Sequence, residues 1–263
     1  MSSPYTPSIF RIKKYGRYLS YFVETLKRSD FESLKDSINY VLFKKLPKYD
    51  RLVNTDMGFF MLRKQTTDFQ FVNFTYERAV KKHLEPRIKD IGLFIDIGAC
   101  IGEYAIWLAN KGVPSIAIEP VNHSAIADNL SWNEGATDYV TVYSCAVGKE
   151  ARKVAFNVIQ GVTSSSYINS TGSSANIDCR RLDDLIDYKL IDTRRITVIK
   201  LDVEGMEIDV LEGAENLLRN ITNLHIIYEH CSCGDYEIRK VLNRYGNFSY
   251  RDLDGVNTLA IKY

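Results

Sequence analysis

Two carboxylates and a glycine follow an apolar run in residues 200–214, KLDVEGMEIDVLEGA. The apolar run that ends at Leu201 is typical of a buried strand, so Asp202 and Glu204 should lie where that strand ends. At such a position a carboxylate could take the proton of a substrate hydroxyl or bind a cationic group. Which of these it does depends on the residues that other strands bring to the same edge.

The elements that would position these carboxylates can be read from five short apolar runs. They are 93–98, 115–120, 140–148, 196–202 and 224–230, and helical patterns occupy 102–111, 122–133, 206–219 and 235–245. Apolar strands that alternate with helices predict a parallel sheet covered on both faces. The tail departs from this, because Asp254-Gly255 separates two further strands as a hairpin turn does. We predict an α/β fold of five β/α units, Rossmann-like and mainly parallel, with a C-terminal antiparallel hairpin.

The N-terminal part has a different pattern. Residues 8–46 predict two helices with apolar stripes, 51–64 predict a hairpin that turns at 56–58, and 74–89 predict a further helix. We therefore expect an N-terminal helical extension and hairpin over residues 1–72, and a Rossmann-like domain over 73–263.

The composition is that of a globular protein, with 263 residues, 45% hydrophobic and 25% charged. A run of about 18 apolar residues and the apolar core of a signal peptide are both missing, so we expect a cytoplasmic protein. Five cysteines form an odd, irregular set, which argues against a disulfide framework.

The charge is uneven along the chain. The first 90 residues hold 18 Lys and Arg against 10 Asp and Glu, and the remainder holds 16 against 23. The basic residues of the first helix region allow packing on the domain or on a second subunit of a homo-oligomer, or contact with an anionic membrane surface. We expect no nucleic-acid partner, because no recognition motif accompanies the charge. These basic residues are Arg11, Lys13, Lys14, Arg17, Lys27 and Arg28.

Ligands of an open α/β sheet bind beyond the carboxyl ends of its strands. The first such loop is DIGACIGEY, in which Gly98 and Gly102 let the backbone approach a ligand. Its glycines do not form G-x-G-x-x-G, because the third glycine of that pattern is missing, and this disfavours an NAD-linked oxidoreductase. A cofactor with a carboxylate and an ammonium group in place of a pyrophosphate suits the loop better. The candidate binding residues here are Asp96, Gly98, Ala99, Gly102, Glu103 and Tyr104.

The loops after the second and third apolar runs carry residues that could bind a nucleoside. Glu119 lies 21 residues after Gly98, close to the offset of about 20 expected of an acid that binds ribose hydroxyls. The alternative is a solvent-exposed acid at the start of a loop. The small residues after the third run would leave a slot for an adenine ring. The candidates are Glu119, Pro120, Val121, Ser144, Cys145 and Ala146.

These segments together resemble a known family. FIDIGACIGEYAIWLA, AIEPVNHSAIADNLSWN, IKLDVEGMEIDVLEGA and IIYEH are similar to the FkbM-type S-adenosylmethionine-dependent methyltransferases over about residues 70–235. The resemblance implies S-adenosyl-L-methionine as cofactor and O-methylation of hydroxyl groups on sugars, glycolipids or polyketide-like natural products. One departure is Cys100, where the family usually has Asn. The first 70 residues lie outside the resemblance.

We therefore predict an S-adenosylmethionine-dependent O-methyltransferase that acts on a hydroxyl of a glycan, glycolipid or small natural product. The alternative is a non-catalytic module that binds S-adenosylmethionine or a nucleotide and acts through its N-terminal helices. Asp202, Glu204 and His230 are the candidate catalytic residues. Asp202 could instead bind the ammonium group of the cofactor, and Glu204 could cap the next helix.

Two other stretches allow alternatives. Glu229, His230, Cys231 and Cys233 lie close together, but a zinc site normally needs a second separated pair of ligands, so we predict no metal and expect Glu229 or His230 to contact the acceptor. The polar residues 161–174 could form an acceptor loop or a plain linker.

Overall fold

The computed structural model describes residues 15–158, 166–168 and 175–263. Arg11, Lys13 and Lys14, and all but three residues of the polar segment 161–174, lie outside the described residues. The interpretations of both regions stay predictions.

The N-terminal part contains two helices, a hairpin and two short helices. The elements are α1 (Tyr15–Lys27), α2 (Phe31–Phe43), β1 (Arg51–Thr55), β2 (Gly58–Leu62), α3 (Asp68–Phe71) and α4 (Arg78–Leu84). A 3-10 turn at Glu85–Asp90 follows α4, so the helix predicted over 74–89 is shorter than expected. The α-helix ends before Pro86 because proline has no backbone N–H group to continue the α-helical hydrogen bonds.

The remaining elements form the sheets and their helices. In chain order they are β3 (Ile91–Ile97), α5 (Glu103–Ala109), β4 (Ser115–Ile118), α6 (His123–Ser131), β5 (Val140–Tyr143), β6 (Ala146–Val147), β7 (Arg152–Val158), β8 (Ser166–Ile168), β9 (Ala175–Arg180), β10 (Ile196–Leu201), α7 (Glu207–Glu212), α8 (Glu215–Asn220), β11 (Leu224–Glu229), α9 (Asp235–Leu242), β12 (Phe248–Asp252) and β13 (Asn257–Lys262).

The main sheet has the order β12-β13-β11-β10-β3-β4-β5. The strands from β11 to β5 pair in parallel, and β13 is antiparallel to both of its neighbours. This confirms the Rossmann-like α/β class with a C-terminal antiparallel hairpin. In the sheet, β3 lies between β4 and β10. The chain continues from β3 to β4 on one flank and returns later to β10 on the opposite flank, so the strand order reverses here. A crevice is therefore expected at the carboxyl ends of β3 and β10.

The prediction of five β/α units is wrong for the third unit. The run 140–148 splits between β5 of the main sheet and β6 of a second, four-stranded sheet with the order β6-β9-β7-β8. The helical pattern 206–219 also splits, into α7 and α8, at Gly213. A Cβ atom at Gly213 would lie 2.1 Å from the carbonyl oxygen of Gly148, so the small sheet packs tightly against this break.

The buried apolar residues form two large clusters, one on each face of the main sheet. Phe94 of β3 belongs to one cluster and its neighbour Ile95 to the other, as the alternation of side chains along a strand requires. Phe60 of the N-terminal hairpin joins the first cluster. The hairpin also hydrogen-bonds to α6 and to the residues just after it, since the amide oxygens of Asn129 and Asn133 accept backbone N–H groups of β2 at 2.8 and 3.0 Å. The hairpin therefore shares the core of the larger domain, and a boundary at residue 72 stays a prediction.

Within the described ranges, the structure contains no helix with the length and apolar character needed to cross a membrane.

Candidate active site

A pocket opens at the carboxyl ends of the central strands. Part of its wall comes from the segment before α4, through Phe71, Tyr76 and Glu77. The rest comes from loops after the parallel strands, as the fold predicts. Of the residues proposed from the sequence, those that line it are Gly98, Glu103, Glu119, Pro120, Cys145, Ala146, Asp202 and Glu204.

The other proposed residues stand outside the pocket lining. They are Asp96, Ala99, Gly102, Tyr104, Val121, Ser144 and His230. Asp96 and Tyr104 are buried behind the wall. The ring nitrogen Nδ1 of His230 lies 3.2 Å from the hydroxyl oxygen of Thr258. Roles for these residues in binding or catalysis stay predictions.

Backbone N–H groups hold the carboxylate of Glu119 in place. Its Oε1 accepts hydrogen bonds from Val121 at 2.8 Å and Asn122 at 2.9 Å, and its Oε2 accepts one from Cys100 at 3.0 Å. Burial raises the pKa of this carboxyl, whereas the three backbone bonds lower it. Glu119 is only 6% exposed, so the alternative of a solvent-exposed loop acid is wrong. A carboxylate oxygen with one donor can still accept a hydroxyl.

Three residues of the pocket wall other than glycine have a left-handed backbone. They are Glu77 with φ 47°, Cys100 with φ 54° and Glu204 with φ 51°. This conformation is unfavourable for residues other than Gly, Asn and Asp, and such strain concentrates at functional sites. Cys100 stands where the family resemblance leads one to expect Asn, which adopts this conformation more readily.

Lys200 supplies a buried positive charge that the sequence reasoning did not single out. Its Nζ lies 3.1 Å from Oδ2 of Asp202 and 3.7 Å from Oε2 of Glu77. Burial would lower the pKa of this ammonium group, but the surrounding carboxylates raise it well above 10.5. The position of Lys200 at the start of KLDVEG was the one sequence signal that could have pointed to it. Its pairing with Glu77 could not be read from the sequence, because the two residues are distant along the chain.

Two buried carboxyls near Lys200 have raised pKa values. Burial raises the pKa of Asp96 to about 7 and that of Glu103 to about 8. Among the buried side-chain atoms described, Oδ2 of Asp96 and Oε2 of Glu103 have no hydrogen-bond partner. Glu103 also lines the pocket, so its free oxygen is available to a donor of a bound ligand.

Glu204 lies in the loop between β10 and α7. Burial, followed by the charges of Asp202 and Glu207, raises the pKa of its carboxyl to about 7. α7 has Met206 at its N-cap position, and Oε1 of Glu207 accepts the N–H of Gly205 at 3.0 Å. Glu204 is therefore not the capping residue of this helix.

Glu229 ends β11 beside the end of β10. Burial raises the pKa of its carboxyl to about 8, the charge of Asp202 adds to this, and the neighbouring Cys231 thiol lowers it. Cys233 instead contacts Oε2 of Glu207 at 2.8 Å. The candidate metal ligands thus have different partners, and the described part of the chain shows no group of three that could hold a metal ion.

The sequence model of the methyltransferase FkbM domain matches residues 96–249, more than half of the chain. The protein belongs to the FkbM methyltransferase family. This confirms the resemblance drawn from the sequence, and S-adenosyl-L-methionine is the cofactor. The pocket of an FkbM methyltransferase must accommodate the groups of this cofactor.

Known proteins similar to this FkbM methyltransferase are distant in sequence. "Methyltransferase 1" of Beauveria bassiana is 22% identical over 179 residues, which cover 58% of this chain and 70% of the relative. The methyltransferase FkbM of Methylobacillus flagellatus KT is 20% identical with a TM-score of 0.48, over 76% of this chain and 56% of that chain. The T. thermophilus 16S rRNA N2 G1207 methyltransferase RsmC, solved with AdoMet and guanosine, is 10% identical with a TM-score of 0.43, over 81% and 50%. The chain thus spans little more than half the length of the solved FkbM protein.

The pocket residues fit the cofactor of this FkbM methyltransferase. Five carboxyl groups and one ammonium group line the described pocket, and this excess of acidic groups suits a ligand with a sulfonium and an ammonium group. The unpartnered oxygen of Glu103 can accept a hydrogen bond from the ammonium group. Cys145 and Ala146 offer a small, largely apolar wall for an adenine ring.

Proposed function

We propose that the protein transfers a methyl group from S-adenosyl-L-methionine to a hydroxyl of a glycan, glycolipid or small natural product. The observation that carries this proposal is the position of Glu204. Its carboxyl lines the same pocket as Glu119, and its pKa of about 7 suits a group that must accept a proton near neutral pH.

Each part of the cofactor has a matching pocket residue. Glu119 accepts hydrogen bonds from the ribose hydroxyls through the free capacity of Oε2, and Glu103 accepts one from the ammonium group. Cys145 and Ala146 contact the adenine ring. When bound, the cofactor supplies a methyl group made electrophilic by the sulfonium.

The chain itself orients the acceptor and removes its proton. A sugar hydroxyl is a weak nucleophile at neutral pH, so a base that takes its proton as the new C–O bond forms adds roughly 10²–10⁴-fold to the rate. We assign this role to Glu204. Lys200 holds Asp202 in place at 3.1 Å, which suits Asp202 to orient the hydroxyl rather than to take its proton.

Cofactor binding is tested first, by titration calorimetry with S-adenosylmethionine, S-adenosylhomocysteine and NAD. We expect both adenosyl ligands to bind, NAD not to bind, and Glu119→Ala to weaken binding by roughly 10- to 100-fold, as the loss of a buried hydrogen-bonded charge does. Glu134→Ala removes an exposed acid and serves as the control. Equal affinities in Glu119→Ala and wild type would contradict the assigned role of Glu119.

Acceptor chemistry is tested by the release of S-adenosylhomocysteine. Sugars, glycolipids and polyketide-like alcohols should support turnover, and the same acceptors with the hydroxyl already methylated should not. Turnover with amine acceptors alone would overturn O-methylation. Cofactor binding without turnover of any acceptor would favour the non-catalytic module.

A further inference from the structure

The helix α1 is attached to the protein through its polar side. The buried residues of the helix include Glu24 and Thr25, whereas Leu19 is 63% exposed, Val23 41% and Leu26 49%. This is the reverse of the usual arrangement, in which the apolar stripe of a surface helix faces the core. The apolar stripe of α1 therefore faces away from the protein.

Specific hydrogen bonds hold α1 in this orientation. The carboxylate of Glu24 accepts the backbone N–H groups of Phe74 and Thr75, the latter at 2.7 Å. The amide nitrogen of Asn73 donates to the carbonyl of Tyr21 at 3.3 Å. A buried carboxylate with two backbone donors is costly to displace, so the outward direction of the apolar stripe is fixed by polar contacts.

The helix α2 is oriented in the same way. Phe31, Ile38 and Leu42 share one face at helical spacing and are 64%, 37% and 51% exposed. Its opposite side carries two polar residues and one aromatic ring: Ser33 is 1% exposed, Asp36 accepts a hydrogen bond from Arg51 at 2.7 Å, and Tyr40 packs edge-on against Phe69. We call the exposed side chains of Leu19, Val23, Leu26, Phe31, Ile38, Leu42 and Phe43 the outer face.

The segment that carries the outer face is rich in exposed lysines. Within residues 19–48 the exposed charged side chains are five lysines and one acid, Glu32. Nζ of Lys45 lies 5.7 Å from the ring centroid of Phe43, so its ammonium group sits beside one of the exposed apolar side chains as a cation–π contact. The lysines are Lys27, Lys35, Lys44, Lys45 and Lys48.

We propose that the outer face binds the surface of an anionic phospholipid bilayer. An exposed apolar stripe with lysines at its edges is the pattern of a helix that lies in the membrane interface. A second copy of this chain fits less well, because a two-fold contact would bring the same lysines of both copies together.

The helix α1 connects the outer face, the proposed membrane-binding surface, with the wall of the pocket. The residues that α1 holds, 72–75, lead directly into Tyr76 and Glu77, which line the pocket. A bilayer on the outer face would lie across α1 from the chain segment that borders the pocket, at about the thickness of one helix, roughly 10–12 Å. If the proposed function is right, this favours an acceptor hydroxyl on a lipid-linked molecule, a point that rests on that function whereas lipid binding does not.

The test measures binding of the full chain to vesicles by flotation. We compare phosphatidylcholine vesicles with vesicles that also contain about 30% phosphatidylserine, a charge density able to attract basic segments. Wild type should bind the anionic vesicles and lose binding in high salt. Ile38→Ser with Leu42→Ser should weaken binding about tenfold or more, because two apolar side chains no longer enter the interface.

The control replaces two exposed aromatic residues elsewhere, Trp132→Ser with Tyr236→Ser, and should bind as wild type does. Thermal unfolding of both variants checks that each is folded. Three results would overturn the proposal: no binding to anionic vesicles, equal binding by the Ile38/Leu42 variant, or a wild-type dimer that this variant converts to monomer. The last would assign the outer face to a second copy.

Discussion

The ammonium group of Lys200 lies 3.1 Å from the carboxylate of Asp202, at the carboxyl end of the central strand β10. Glu77, from the segment before α4, is the second carboxylate on the same nitrogen, at 3.7 Å. One buried cation thus joins the motif loop of the catalytic domain to the N-terminal part of the pocket wall.

Removing this cation should destabilise the protein strongly. Lys200→Met leaves Asp202 and Glu77 without their buried partner, and loss of one member of a buried ion pair costs about 3–5 kcal/mol. Urea denaturation gives the free energy of unfolding. Lys153→Met removes a lysine whose side chain is 64% exposed and which pairs with Asp178, so it should cost less than about 1 kcal/mol. Similar losses in the two variants would show that Lys200 is not a buried structural charge.

Activity should follow the ionisation of Glu204. A general base works in its deprotonated form, so the raised pKa of about 7 predicts that kcat increases with pH through about pH 7 and then levels. Glu204→Gln should lower kcat by roughly 10²–10⁴-fold and remove this pH dependence. Glu212→Gln, on α7, provides the control and should keep the wild-type profile. A Glu204→Gln variant with the wild-type pH profile would exclude this residue as the base.

Asp96 should make the protein less stable as the pH rises. Its folded pKa of about 7 exceeds the unfolded value of 3.8, so the folded state binds more protons than the unfolded state between these values. The free energy of unfolding therefore decreases through this window, by up to about 1.4 kcal/mol per pH unit from this one group. Asp96→Asn should gain stability relative to wild type between about pH 4 and about pH 7. A constant difference between the two proteins would contradict the raised pKa.

Cys100 is a site where substitution should stabilise the fold. Its φ of 54° is left-handed, and Asn adopts this conformation at lower cost than Cys. Cys100→Asn should raise the free energy of unfolding by about 0.5–1 kcal/mol, provided that its backbone N–H still donates to Glu119. Cys100→Ala keeps the strained backbone and should not stabilise the protein. Measured losses in both variants would show that packing of the thiol outweighs the backbone strain.

The domain class and the loops that form the pocket followed from local patterns of residues along the chain. The strands β3, β4, β10 and β11 are short continuous apolar runs, a local signal that needs no knowledge of contacts. Because parallel strands end at one edge, Glu119, Asp202 and Glu204 could be placed at a common site from their positions after these runs. The split of residues 140–148 between two sheets escaped this reasoning, since an apolar run does not show which strand it will pair with.

Which charges meet and which helix faces are buried could be seen only once the chain was folded. The pairing of Lys200 with Glu77 joins residues more than 120 positions apart, and no local pattern contains that information. The stripes of α1 and α2 were visible in the sequence, but periodicity shows only that a helix has an apolar side. The contacts of Glu24 with the backbone near Thr75 determine that this side faces outward. Burial and charge pairing depend on the whole fold, because both arise from distances between segments that are remote in the sequence.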